Sequence, residues 1–223
     1  MPTATRTDVE VRSSHLRAFT LSSYDGLVRV ALVPEQAVLL AGDRVEVTIR
    51  VGRGRSLEIV EPGGTVAYAM RGSAASWDVT VEVEDGGSLV WHGEPLVVSE
   101  GADVRRRTSI AVSGSARVAL RETLVLGRSG QEPGTLVSRT DVHRDGAPVL
   151  IEELDAAVGL GPHRVLDQVL WLGGFETVAD RPPQPPTATM ALETGDRLHR
   201  WHGAETHASP ISVSDCQSSP SEE

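Results

Sequence analysis

Residues 120–134 read LRETLVLGRSGQEPG, which is the pattern of a strand that runs into a tight turn. One face of that strand carries three leucines and a glutamate: Leu120, Glu122, Leu124 and Leu126. Side chains alternate along a strand, so Glu122 points the same way as the leucines. A carboxylate among leucines needs a partner such as an arginine, or it must line a wet cavity. The stretch therefore predicts a strand that carries one inward-facing charge.

The same alternation recurs about every ten residues along the chain, with short turns between the runs. The clearest example is RVEVTIRV at residues 44–51, where Val and Ile share one face. Asp85–Gly87 and Arg144–Ala147 are turn signals of the kind that hairpins use. Residues 163–172 are ambiguous, because their apolar positions fit either a helix face or a strand. We expect an all-β domain of sandwich or solenoid type.

The chain divides into one large domain and two polar ends. We expect residues 1–16 to form a flexible N-terminal segment and residues 17–207 to form a single β-rich domain. Residues 208–223 are rich in Ser, Pro and Glu, so we expect a disordered tail there. Asp180–Pro186 holds four prolines, which predicts a loop within the domain.

The chain of 223 residues has a formal net charge of −10. That charge repels a phosphate backbone, so nucleic acid and anionic membranes are not expected as partners. All 21 basic residues are arginines, which excludes a Schiff-base lysine and a P-loop lysine. The single cysteine, Cys216, excludes an internal disulfide and a cysteine-based zinc site. No apolar segment resembles a signal peptide or a membrane span, so we expect a cytoplasmic protein.

The motifs that mark common enzyme classes are missing from the sequence. It contains no nucleophile elbow, no P-loop, no dinucleotide-binding fingerprint and no zinc-protease motif. We therefore expect a protein that is not an enzyme.

Metal binding is an alternative, because His199, His202 and His207 cluster near the C-terminus and imidazole binds Ni²⁺, Cu²⁺ or Zn²⁺. On a strand, His199 and His202 would face opposite ways, which favours an incidental surface cluster. The competing hypothesis is a metal-binding enzyme or a metal-storage protein that uses these histidines.

Other charged residues lie at strand ends and turns, where solvation is the usual interpretation. They are the carboxylates Asp43, Glu94 and Glu132 and the basic run Arg105–Arg107. Alternating strands with few charges can also offer an exposed edge to another protein. A plain β-sandwich interaction domain is therefore a third hypothesis.

Several short motifs occur in a fixed order along the chain. They are Ala41–Arg44 before an alternating strand, Gly54–Leu57, Leu89–Trp91 with Glu94-Pro95, Leu120–Glu122 with Leu126–Arg128 and Gly130–Glu132, and Asp145–Pro148. In this order, across roughly Leu27 to Leu154, they resemble the urease accessory protein UreD family, also called UreH. The segment Glu61–Tyr68 departs from the family pattern, which has a Thr-Gln-containing segment with a Lys and an aromatic residue there.

The resemblance implies an irregular stacked-strand architecture, β-helix-like or sandwich-like, with few helices. It also implies a non-catalytic protein that acts with UreF and the GTPase UreG on the urease subunits. Such a protein helps to pass nickel into apo-urease through a water-filled internal path, so nickel is a transiently conducted ion and no cofactor is tightly bound. On this basis Asp43, Glu94 and Glu132 are candidate path or structural residues, and Glu122 with Arg128 is a candidate internal ion pair.

Overall fold

The computed structural model describes residues 9–36, 38–174 and 187–211, and within them it confirms an all-β fold. The strands are β1 (Val9–Ser13), β2 (Leu16–Tyr24), β3 (Leu27–Pro34), β4 (Val38–Leu39), β5 (Arg44–Val51), β6 (Ser56–Val60), β7 (Thr65–Ala67), β8 (Ala75–Val83), β9 (Ser88–His92), β10 (Leu96–Val98), β11 (Asp103–Val112), β12 (Arg117–Leu126), β13 (Thr135–Arg144), β14 (Ala147–Asp155), β15 (Val165–Leu172), β16 (Thr187–Ala191) and β17 (Arg197–Gly203). One turn of helix, α1 (Ala156–Gly159), and a 3₁₀ turn, Thr206–Ala208, complete the described elements.

The centre of the molecule is a solenoid of parallel strands. Strands β3, β6, β9 and β12 stack side by side in one sheet, and β5, β8, β11 and β13 stack in a second. The short strands β4, β7 and β10 form a third parallel row that continues onto β12. Each turn of the solenoid, called a rung here, adds one strand to each of these rows. Ser56 on β6 and Ser88 on β9 are 32 residues apart in sequence, yet their hydroxyls lie 2.8 Å apart on adjacent rungs. The stacked arrangement therefore has the β-helix-like form.

Antiparallel strands close both ends of the solenoid. At the first end, β1 pairs with β5 and β2 pairs with β3. At the other end, β14 pairs with β13, while β15, β17 and β16 extend the sheet beyond β12. Residues 9–13, which the sequence assigned to a flexible segment, form β1 because their backbone pairs with β5.

The core lies between the inner faces of the two sheets and is mostly aliphatic. In β5 the predicted apolar face is at most 2% exposed at every position: Val45, Val47, Ile49 and Val51. The intervening side chains of β5 point outward, as the alternation predicts. The solenoid is thus filled by apolar side chains from both sheets, and this setting makes any charge inside it notable.

Two turns with the same sequence chemistry have different roles. Arg144–Ala147 joins β13 and β14 as the predicted hairpin, with φ of 51° at Asp145 and 80° at Gly146. Asp85–Gly87 is instead a corner between β8 in one sheet and β9 in the other. There the Asp85 side chain accepts hydrogen bonds from the backbone and hydroxyl of Ser115 on the next rung. Turn chemistry fixes the bend of the chain, and strand pairing decides what the bend connects.

The ambiguous segment at residues 163–172 contains β15, all eight residues of which are buried. Burial of both faces removes the polar alternation that would have identified a strand. The predicted loop Asp180–Pro186, residues 1–8 and the tail from residue 212, with Cys216, lie outside the described residues. Among the described helices, none has the length and apolar character needed to span a bilayer.

Candidate functional site

A cluster of polar side chains crosses the apolar interior between the two sheets. Arg106 projects inward from β11, and Glu122 projects inward from β12 in the facing sheet. Arg106 and Glu122 lie on the inner faces of their strands. Val104 and Leu120, each two residues earlier on the same face, are also buried. The two charges therefore meet inside the solenoid and join its walls.

Glu122 is 6% exposed and is fully hydrogen-bonded. Its Oε1 accepts from Arg106 at 3.0 and 2.7 Å and from the hydroxyl of Thr108 at 3.2 Å. Its Oε2 accepts from the side-chain amide of Gln168 on β15 at 2.9 Å. Burial alone would raise the pKa of Glu122, but the positive charge of Arg106 and these hydrogen bonds outweigh it and lower the pKa below its ordinary value. The carboxylate is therefore ionised inside the core.

The partner of Glu122 corrects two expectations from the sequence. The predicted internal ion pair with Arg128 is wrong, because Arg106 occupies that role and Arg128 lies exposed in the turn after β12. The interpretation of Arg105–Arg107 as a solvated edge holds for its outer members only. Arg105 and Arg107 have half-exposed side chains, whereas that of Arg106 is 10% exposed and its guanidinium lies 5.6 Å from the ring centre of Trp77.

A small cavity of about 20 Å³ lies beside this pair. Its polar lining includes Arg106 and Glu122 together with Glu61 and Glu94. Glu61 accepts hydrogen bonds from the indole of Trp91 at 2.8 Å and from the backbone of Glu94 at 3.1 Å. Burial raises the pKa of Glu61 to about 6, against the weaker lowering effects of those hydrogen bonds and of the charge on Arg106. The cavity has room for about one water molecule.

A second cavity of about 10 Å³ lies on the other side of Glu122. Gln168, Thr140 and Glu152 contribute its polar lining. Gln168 accepts a hydrogen bond from Arg200 at 2.9 Å, and Arg200 binds Glu152 through two bonds of 3.0 and 2.6 Å. The Glu152 side chain is 30% exposed, so this polar series reaches the surface on β14. Polar side chains thus line both cavities and continue to the surface at Glu152.

The structure separates the other predicted path residues from this cluster. Asp43 closes the turn before β5, where its carboxylate accepts from the backbone of Leu40 at 2.8 Å. Glu132 is exposed in the turn that also holds Arg128. Glu94 and Glu122 are the two predicted carboxylates that come together at one cavity. Asp43 and Glu132 occupy turns, as their sequence positions suggest.

The three C-terminal histidines do not come together. His199 and His202 lie on opposite faces of β17, where His199 contacts Trp171 and His202 lies 6.2 Å from His163. His207 is exposed beside Glu205. Across residues 9–36, 38–174 and 187–211, no three His, Cys, Asp or Glu side chains form a group that could hold a metal ion. The histidine cluster in the sequence is therefore not a cluster in space.

A second buried charge, which no sequence motif predicted, lies on the outer face of the larger sheet. Asp167 on β15 has no exposed surface and binds Arg121 through two hydrogen bonds of 3.1 and 2.8 Å. Thr123 and Ser209 also donate to it, at 3.0 and 2.6 Å. The bond from Ser209 fastens the C-terminal segment over this face. Ile211, which is 4% exposed, packs there as well.

Strand β2 forms an exposed edge of the larger sheet. Most of its residues are exposed on both faces, and three large apolar side chains are among them: Phe19 at 49%, Leu21 at 55% and Tyr24 at 61%. An exposed apolar edge strand is a surface on which another chain can pair. The sequence predicted such an edge in general terms without assigning it to a strand.

Comparison with known proteins identifies close similarity to one family. A family model described as UreD urease accessory protein matches residues 9–209, beyond the limit at Leu154 that the sequence motifs suggested. Urease accessory protein UreD 1 of Streptomyces griseus subsp. griseus is 41% identical over 167 residues, covering 71% of this chain and 63% of that protein. UreD 2 of Saccharopolyspora erythraea is 34% identical over 168 residues, covering 70% and 58%. The chain thus spans about three fifths of the length of these relatives.

Proposed function

Because the chain belongs to the UreD urease accessory protein family, we propose that it is a non-catalytic scaffold for urease maturation in the cytoplasm. In this role it helps nickel to reach the active site of apo-urease, and it works with UreF and the GTPase UreG. Nickel is its cargo and does not stay bound.

The observation that carries the proposal is a series of polar side chains that lines two cavities in the apolar interior. Glu94 and Glu122 line the first cavity, and Glu122, Gln168 and Glu152 continue the lining into the second. Carboxylate and amide oxygens stabilise a divalent cation without the tight grip of thiolates, so an ion could move from one group to the next. Buried charges cost stability in an apolar core, which favours a functional reason for this series.

The pairing of the buried groups supports a scaffold over an enzyme. Glu122 and Asp167 are each neutralised by an arginine and further hydrogen-bonded by hydroxyl groups. A catalytic base or nucleophile needs a free, activated lone pair near a substrate-sized space. Carboxylates that are paired in this way hold strands together and lack the free lone pair that a catalytic base or nucleophile needs.

The exposed edge of β2 supports a role in a protein complex. Within the part of the chain that the structure describes, β2 pairs only with β3, so its outer edge places unpaired backbone groups beside the apolar side chains of Phe19, Leu21 and Tyr24. Such an edge gains stability when a partner covers it. In the proposed role the partners are the urease subunits or UreF.

The test is to express the urease subunits with UreF and UreG, with and without this chain, at physiological nickel. Urease should reach full nickel content and activity only when this chain is present. Glu94→Gln, in the lining of the first cavity, should lower the nickel content. Glu100→Gln is the matched control, since Glu100 is exposed in the turn after β10 and belongs to neither lining. Full nickel loading without the chain would disprove the proposal.

A further inference from the structure

The two cavities of the interior share the carboxylate of Glu122. The oxygen Oε1 faces Arg106, which lines the first cavity, and Oε2 faces Gln168, which lines the second. Leu120 also lines both cavities and is 4% exposed. Glu122 and the apolar Leu120 are the two residues common to both linings, so a cation that crossed from one cavity to the other would pass the Glu122 carboxylate.

Arg106 already occupies the cation position at this carboxylate. Its Nε and one terminal nitrogen both donate to Oε1, which neutralises the negative charge and covers the oxygen. A divalent ion at the same oxygen would be repelled by the guanidinium at short range. The first cavity also has space for about one water, less than the hydration shell of such an ion. The described arrangement is therefore a closed one.

Two further groups provide a second position for the guanidinium. Trp77 offers the ring face on which Arg106 rests, and Glu61 lines the same cavity without an ion pair to any described residue. Trp77, which is 5% exposed, lines this space, and its indole N–H has no hydrogen-bond partner among the described residues. A buried donor left in this state marks a place where water or another polar ligand belongs.

We propose that Arg106 is a tethered cation that closes the route at Glu122, and that it moves along Trp77 to Glu61 when a divalent cation takes its place. In the open state Glu61 neutralises Arg106, while Glu122, the amide of Gln168, the hydroxyl of Thr108 and water surround the ion. Glu61 then neutralises Arg106, Glu122 supplies one of the two negative charges that a divalent ion needs, and Glu94 in the same cavity lining supplies the second. The identification of the ion as nickel rests on the proposed function, whereas the site itself requires only a hydrated divalent cation.

The test measures binding of Ni²⁺, added as NiCl₂, to the purified full-length chain by calorimetry and by its effect on thermal unfolding. Arg106→Met removes the resident cation and should gain one equivalent of bound Ni²⁺ relative to the parent. Nickel well above its Kd should raise the Tm of this variant by on the order of 5 °C. Arg106→Met/Glu122→Gln should lose both effects. Arg107→Met is the matched control, because it removes the neighbouring outward-facing charge and should bind nickel as the parent does.

Surface histidines are the same in all four proteins, so their nickel binding cancels in the comparison. Equal nickel stoichiometry in the parent and Arg106→Met would overturn the proposal. If Arg106→Met is unfolded without metal, circular dichroism should show that NiCl₂ restores its β signal. The proposal would also be overturned if NiCl₂ did not restore the β signal of Arg106→Met while Arg106→Met/Glu122→Gln was folded under the same conditions.

These measurements do not involve urease, so they separate this proposal from the proposed function. A chain that passes the binding test but does not alter nickel loading of urease would keep the Arg106 site and lose the maturation role. A chain that supports urease maturation while Arg106→Met gains no nickel site would keep the role and lose the closure at Glu122.

Discussion

The guanidinium of Arg106 lies 2.7 Å from the carboxylate of Glu122 and joins the two facing sheets through the middle of the core. Removing one partner of a buried ion pair leaves the other charge uncompensated, which costs about 3–5 kcal/mol of unfolding free energy. We therefore expect Glu122→Ala and Arg106→Ala each to lose that amount in denaturant unfolding.

The double variant Arg106→Met/Glu122→Met is the control for this pair. It replaces both charges by apolar groups, so we expect it to be more stable than either single alanine variant. Additive losses in the double variant would show that the two side chains do not depend on each other.

The acid–base behaviour of Glu61 predicts a pH-dependent stability. Its pKa rises from 4.5 to about 6 on folding, because burial disfavours the charged form. Between these values the folded protein binds more protons than the unfolded chain, so stability falls as pH rises through the window. Glu61→Gln cannot ionise, and its stability relative to the parent should therefore improve by about 2 kcal/mol from pH 4.5 to pH 7.5. Parallel pH–stability curves for the two proteins would contradict this assignment.

The hydrogen bond from Ser209 to Asp167 predicts that one hydroxyl holds the C-terminal segment in place. Ser209→Ala removes a bond to a buried carboxylate and should cost about 1.5–3 kcal/mol. It should also speed limited proteolysis between Gly203 and Ile211. Ser129→Ala, in an exposed turn, is the control and should match the parent in both measurements. Unchanged cleavage in Ser209→Ala would mean that other contacts hold the segment.

The apolar edge on β2 predicts a separation of folding from association. Replacing Phe19, Leu21 and Tyr24 by Ser should leave the Tm within about 2 °C, because exposed side chains contribute little to stability. The same variant should lose co-purification with the urease subunits or UreF. Val158→Ser is the control, since that side chain is also exposed, at 80%, but lies on α1. Normal co-purification of the triple variant would place the partner surface elsewhere.

The sequence was sufficient to predict most strands and the unusual position of Glu122, but not strand β1, the identity of β15 or the partner of Glu122. Alternation is a local property, and it correctly placed this carboxylate on an inward face. Its partner, Arg106, lies on a different sheet, and which faces oppose each other depends on the winding of the whole chain. Val104, Arg106 and Thr108 alternate along β11, and this pattern could have predicted that Arg106 faces inward. The interpretation of Arg105–Arg107 as one basic run overlooked it.

The histidines and the Asp-Gly turns show the same limit. His199 and His202 are close in sequence, but their side chains lie on opposite faces of β17. Asp85–Gly87 and Arg144–Ala147 share turn chemistry, and only the pairing of the flanking strands distinguishes a corner from a hairpin. Gln168 could not be assigned to the candidate site because β15 is buried on both faces and shows no polar pattern.

The stacked rungs also make the solenoid a molecular ruler. Adjacent strands in a sheet are about 4.8 Å apart, so each added or deleted rung would change the separation of the two closing ends by one such step. The side chains that meet within a rung would keep their neighbours during that change. Evolution could therefore adjust the distance between surfaces at the two ends in discrete increments.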